Sequence, residues 1–221
     1  MPSTLKTKLR SLLLDSFIWD IRQKKIDTAE LEAWEAAGRP VPPPAIAKRF
    51  LLADYGATFG IRTLVETGTF LGGTMYALKD KFDTLYSIEL SPTLAANAIK
   101  RFRKSPHIHI LQGDSGEVIR DLVLTLNAPA LFWLDGHYSA GVTALAQKET
   151  PIVQELRTLL DHHVKDHVIL IDDARLFDGT HDYPTIEELR QLFLRERPDF
   201  DFSVVNDVIR AHPRMNVPTK Y

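Results

Sequence analysis

At 221 residues the chain is long enough for one sizeable core and short for two ordinary enzyme domains. Its 44% hydrophobic and 25% charged residues are those of a soluble globular protein, and a net charge of −2 supplies no basic field for nucleic acid. With no cysteine, disulfides, thiolate metal sites and a cysteine nucleophile are excluded.

Lys6, Lys8 and Arg10 stand ahead of Leu12, Leu13 and Leu14, in the manner of an export signal. Asp15 and Asp20 interrupt that apolar run, and no small-residue cleavage site follows. No segment has the apolar length of a membrane span, so the expectation is a cytoplasmic protein without a transmembrane segment. Leu5, Leu9, Leu12, Leu13, Phe17 and Ile21 recur at helical spacing, which predicts an amphipathic helix over about 3–25. A second helix is predicted over about 28–37. The first helix is expected to pack on the domain or on a second subunit, giving a homodimer through the N-terminal helices; its basic flanks also suit an anionic membrane surface. Gly38-Arg39-Pro40-Val41-Pro42-Pro43-Pro44 is a stiff connector, because proline fixes φ and removes donors. It is expected to divide an N-terminal appendage, residues 1–43, from the main body, residues 44–221.

Beyond a further helix near 44–55, β-rich runs alternate with stretches long enough for crossovers. They fall at Thr63–Glu66, Thr84–Glu89, Ile108–Gln112, Ala130–Leu134 and Val168–Ile171. This pattern predicts an α/β fold, a doubly wound Rossmann-like sheet, mostly parallel and covered on both faces. Val168–Ile171 is apolar throughout, as a strand buried on both faces should be. The Thr150-Pro151 step starts a helix at Ile152, with proline in the first-turn position and a buried face of Ile152, Leu156, Leu159 and Leu160. Thr185 to Arg197 reads as a helix with a stripe of Ile186, Leu189, Leu192 and Phe193. Phe202–Arg210 reads as two strands about an Asn206-Asp207 turn, an antiparallel hairpin closing the sheet. His162, His163 and His167 match no zinc spacing and are read as surface residues.

The strand Thr63–Glu66 runs into Thr67-Gly68-Thr69-Phe70-Leu71-Gly72-Gly73-Thr74. Glycines between a strand and a helix let a ligand approach the backbone closely. The spacing is not the G-x-G-x-x-G of a dinucleotide site, and Glu66 at the mouth of the loop would repel a pyrophosphate. A carboxylate there suits a cationic ligand. Glu89 closes the next strand, where a carboxylate can accept both hydroxyls of a ribose. Gly113-Asp114-Ser115 follows the third strand, where a short polar group can hold a base edge. Any one of these carboxylates is equally read as a helix cap; together, each at a strand end, they are more specific.

Glu66-Thr67-Gly68-Thr69-Phe70-Leu71-Gly72 resembles the first motif of class I S-adenosylmethionine-dependent methyltransferases. Its pattern E-x-G-x-aromatic-x-G is similar to that of the metal-dependent catechol and caffeoyl-CoA O-methyltransferases. The resemblance covers about 44–212. It implies a donor site of Glu66, Thr67, Gly68, Thr69, Phe70, Gly72 and Thr74, with Glu89 and Leu90, Gly113, Asp114 and Ser115, and Asp135. It also implies a metal triad after the fourth and fifth strands, carried over by position to Asp135, Asp172 and Asp173. Hard oxygen ligands of that kind suit Mg²⁺ or Ca²⁺, and Mg²⁺ is the metal expected. The chain departs from the catechol-type pattern in having no lysine between Asp135 and Lys148. Some sugar-directed relatives use a histidine near that position, which makes His137 the candidate base beside Asp135. Tyr138 is the weaker alternative, and the segment from Ser139 to Pro151 reads as a lid. Arg175 and His181, beyond the acidic pair, are candidates for acceptor contact.

The expected activity is metal-dependent O-methylation of a small hydroxylated acceptor, such as a sugar or a glycosylated metabolite. Three readings compete with it. They are a metal-independent methyltransferase acting on nitrogen, a nucleotide-binding Rossmann protein, and a non-catalytic scaffold.

Overall fold

The computed structural model describes residues 17–136 and 150–214, with side chains from Asp27 onward. The chain forms two compact units, Met1–Lys48 and Arg49–Tyr221. In the first, α1 (Phe17–Ala36) is one continuous helix where two were expected. No glycine or proline stands between Gln23 and Leu31, so nothing breaks it. The chain leaves α1 through Gly38 and Arg39, both at positive φ. The Trp34 indole N–H donates to the Pro40 carbonyl at 2.7 Å, which fastens the start of the proline connector. The unit boundary falls inside α2 (Ala45–Thr58). The expected helix over residues 3–25, and any dimer built on it, lies largely outside the described residues. No described helix is long and apolar enough to cross a membrane.

The second unit is built on a seven-stranded sheet. Its strands are β1 (Thr63–Thr67), β2 (Thr84–Glu89), β3 (Ile108–Gln112), β4 (Leu131–Leu134), β5 (Val168–Ile171), β6 (Phe200–Val205) and β7 (Val208–Pro213). Their order is β3-β2-β1-β4-β5-β7-β6. The first five run parallel, and β7 is antiparallel to both β5 and β6. Asn206 and Asp207 both take positive φ, as the tight turn of the predicted hairpin requires.

The crossovers are α3 (Gly73–Leu78), α4 (Pro92–Phe102), α5 (Ser115–Val123), α6 (Ile152–Asp161) and α7 (Ile186–Glu196), with a 3₁₀ turn at Ala174–Leu176. Alternation along the strands divides the core. Leu64, Leu131, Trp133, Val168 and Leu170 face α2, α3 and α4. Val65, Phe132, Leu134, Ile169 and Ile171 face α5, α6 and α7. Both faces are therefore covered, and β4 and β5 are buried at every residue. Chain order runs outward from β1 to β3, then returns to β4 on the other side of β1. That reversal is the switch point, and ligands of such sheets bind outside the strand ends there.

Candidate functional site

Register brings the chemistry-bearing residues to one rim. Thr67 pairs with Ile88 on one side and Leu134 on the other, and Leu134 pairs with Ile171. The loops after β1, β2, β4 and β5 thus open on the same edge, and β3 joins them through the Glu89–Gln112 pair. Glu66, Glu89, Asp114, Asp135 and Asp172 all stand on that edge.

The loop after β1 is fixed by close approach. Gly68 takes φ +87°, and a Cβ on it would lie 2.5 Å from the Asp135 carbonyl oxygen. Gly72, at φ +70°, precedes the first turn of α3. Phe70 also takes positive φ and is half exposed, as is Leu71 beside it. Glu89 secures this loop. Its Oε2 accepts the Phe70 N–H at 2.8 Å and its Oε1 accepts the Ser91 N–H at 2.8 Å. Each carboxylate oxygen keeps a lone pair beyond those bonds.

Glu66 is 2% exposed and points toward α2 and α3. Burial pushes its carboxyl up to about 7, against the hydroxyls of Ser87 and Thr74 and the charge of Arg49, which favour ionisation. Ser87 Oγ donates to Glu66 Oε2 at 2.6 Å and lies 2.7 Å from Thr69 Oγ1. Because Ser87 has one proton and spends it on Glu66, Thr69 donates to Ser87. Thr67, the next residue, faces α5 and α6 instead. Its hydroxyl accepts the N–H groups of Asp135 and Gly136, each at 3.2 Å.

Past β3, Gly113 takes φ +152°. Asp114 caps α5 by accepting the Gly116 N–H at 2.9 Å, so the helix-cap role is real at this position. The Leu90 carbonyl accepts from Gln112 Nε2 at 3.1 Å, tying two strand ends together.

At the β5 end the acidic pair is already engaged. Asp172 is buried, and its Oδ1 accepts the Asp173 N–H at 2.8 Å. Asp173, at φ +55°, pairs with Arg175 Nη1 at 2.9 Å. The same Nη1 pairs with Asp207 of the hairpin turn, and Asp207 Oδ1 accepts the Arg175 N–H at 2.8 Å. Asp173 stands at the N-cap of the 3₁₀ turn and makes no side-chain cap hydrogen bond to it. Asp135, Asp172 and Asp173 have the right donor atoms for a divalent cation, but Asp173 is paired with Arg175. Among the described residues no three His, Asp or Glu side chains are grouped to hold a metal ion. His137, Tyr138 and most of the expected lid lie outside the described residues.

Two expectations are corrected. His162 and His167 are buried, not surface residues. The Ala130 N–H donates to His167 Nδ1 at 3.1 Å, so Nε2 carries the proton toward His162 Nδ1, 2.9 Å away. Burial pushes His167 down to about 4, and the neighbouring His162, Arg197 and His163 reinforce the shift. The pair sits before β4 and β5, at the rim opposite the site. Pro151 occupies the N-cap of α6, one residue earlier than the first-turn position expected.

Sequence reasoning missed Ser87, Asp207 and Glu155. Ser87 and Glu155 carried a signal, since each is a polar residue in an otherwise apolar strand or stripe. Asp207 carried none, because its partner is 32 residues away.

No protein-family model matches the sequence, and no curated protein matches it. Solved structures do. The O-methyltransferase TomG from Streptomyces achromogenes, involved in tomaymycin synthesis and held in complex with S-adenosylmethionine, is similar with a TM-score of 0.56 at 18% identity. That match spans 86% of this chain and 89% of TomG. An O-methyltransferase from Bacillus cereus in complex with S-adenosylhomocysteine gives 0.54 at 16% identity, over 85% and 90% of the two chains. The S-adenosylhomocysteine-bound methyltransferase PaMTH1 from Podospora anserina gives 0.53 at 17%, over 85% and 88%. At such identities what is shared is architecture: the chain has the fold of the class I S-adenosylmethionine-dependent O-methyltransferases.

Proposed function

We propose that the chain is an S-adenosylmethionine-dependent methyltransferase acting on an oxygen of a small hydroxylated acceptor, such as a sugar or a glycosylated metabolite. The observation that carries this is the convergence of Glu66, Glu89 and Asp114 on one rim, around a Gly68–Gly72 loop too tight for side chains at its glycines. Glu66 favours a cation over a pyrophosphate. Glu89 fixes the loop with one lone pair on each oxygen and offers the others to a ribose. Gly113, Asp114 and Ser115 take the base edge, and Thr67, Thr69, Phe70, Thr74 and Leu90 complete the donor seat.

In the transfer, the acceptor oxygen attacks the methyl carbon as the carbon–sulfur bond breaks. The bonding pair stays on sulfur, giving S-adenosylhomocysteine, and the acceptor proton passes to a base. His137 is assigned that base, following directly on Asp135 and Gly136. The enzyme's contribution is mainly proximity and alignment. Asp135 is anchored for this by its neighbours: its N–H is held by Thr67, and its carbonyl packs on Gly68.

A second reading adds a divalent cation at Asp135, Asp172 and Asp173. The adjacency of the β4 and β5 ends favours it. The Arg175 pairing with Asp173 opposes it. Titration calorimetry with S-adenosylhomocysteine and with NAD⁺ tests the donor assignment. Binding of the first without the second is expected; NAD⁺ binding alone would end the methyltransferase reading.

A further inference from the structure

One buried carboxylate plays no part in the chemistry above. Glu155 lies on α6 in the stripe of Ile152, Leu156 and Leu159, and is 1% exposed. The hydroxyls of Ser115 and Thr67 face its carboxylate and favour its ionised form, while burial, the larger effect, pushes it up to about 7. The Asp114 carboxylate adds to that upward push. Glu155 Oε1 has no hydrogen-bond partner.

Thr67 is the link outward. A hydroxyl that accepts from Asp135 and Gly136 keeps its own proton, and it faces the Glu155 carboxylate. Gly136 passes so close that a Cβ there would lie 3.1 Å from Thr67 Oγ1 and 3.4 Å from Ser115 Oγ. The adjacent Gln154 donates from Nε2 to the Gly116 carbonyl at 2.8 Å, which pins α6 to the start of α5. From one carboxylate, contacts therefore run to the loop after β3, through Ser115, and to the peptide after β4, through Thr67.

We infer that Glu155 is a positioning residue for methyl-donor binding, setting the Thr67 and Ser115 hydroxyls and, through Thr67, the Asp135–Gly136 peptide at the donor seat. The inference rests on the donor reading given above. It specifies what must stand at position 155: an oxygen acceptor of glutamate length. Glutamine supplies one, whereas leucine removes the oxygen that the two hydroxyls face.

Titration calorimetry of the full chain with S-adenosylhomocysteine decides it, with thermal unfolding of each variant run alongside. Glu155→Gln should bind within about threefold of the unsubstituted protein. Glu155→Leu and Thr67→Val should each bind at least about tenfold more weakly. The double variant should be no weaker than the weaker single one, because both break the same chain of contacts. A folded Glu155→Leu with undiminished affinity, or losses that multiply in the double variant, would overturn the inference. Where Glu155→Leu does not fold, Thr67→Val and Glu155→Gln decide: undiminished affinity in the first, or a tenfold loss in the second, overturns it. Absence of binding by the unsubstituted protein would instead remove the donor reading itself, and this inference with it.

Discussion

Replacing Glu66 by glutamine should change how stability depends on pH, because the carboxyl it removes is buried. Glu66 is buried at the end of β1, and its carboxyl is pushed from 4.5 to about 7. The sign follows from linkage. Between these values the folded state keeps a proton that the unfolded chain has released, so the stability present at pH 4.5 is lost as pH rises toward 7. Each pH unit in that window is worth about 1.4 kcal/mol, and the loss levels off above the folded value. From pH 4.5 to 8 the total is about 3 kcal/mol. Glutamine carries no charge at either end and loses nothing. Urea unfolding of both proteins across that range measures the difference directly. Contributions from Glu155 and His167 are common to both proteins and cancel. The stability of Glu66→Gln relative to the unsubstituted protein should therefore climb by about 3 kcal/mol toward pH 8. A difference that stays flat would refute the view that Glu66 is a desolvated carboxyl.

Three further outcomes follow from the same geometry. Glu89→Ala removes the acceptor of the Phe70 and Ser91 N–H groups and should weaken S-adenosylhomocysteine binding by roughly 1.5–3 kcal/mol; undiminished affinity in calorimetry would refute the ribose assignment. Arg175→Ala releases Asp173 from its ion pair, so Mn²⁺ titrated against the variant should bind more tightly than to the unsubstituted protein, and equal affinity would show that Arg175 does not compete for that carboxylate. His167, pushed down to about 4, should remain a neutral Nε2–H tautomer at pH 5.5 in nitrogen-detected NMR, and a doubly protonated ring there would contradict the buried pair.

The fold was legible because its strands announce themselves. Val168–Ile171 has no polar residue and is buried throughout, and Asn206-Asp207 can turn tightly because both residues tolerate positive φ. The rim was legible for a related reason: in a parallel sheet a residue just past a strand's end is placed by topology, whatever its neighbours. What could not be read depended on pairing across the chain. Arg175 reads as a contact for an acceptor, but it pairs with Asp173 and also with Asp207, from a hairpin far along the sequence. The metal triad was carried over by position, and position does not show which way Asp173 turns. His162 and His167 looked like solvated loop residues until the packing of the strand starts buried them. A glutamate on a helix is ordinarily solvated, but the place of Glu155 between Ile152 and Leu156 puts it on the buried stripe. The sequence predicts a break near residues 25–28, whereas one helix runs through Phe17–Ala36 with no glycine or proline to interrupt it there.

A crystal structure of the chain with S-adenosylhomocysteine bound would bear most directly on the central claim. The ligand should lie across the gap between β1 and β4, with its ribose hydroxyls on Glu89 and its base edge at Asp114 and Ser115. Density for the ligand at the opposite rim, near His162 and His167, or a ribose out of reach of Glu89, would contradict it.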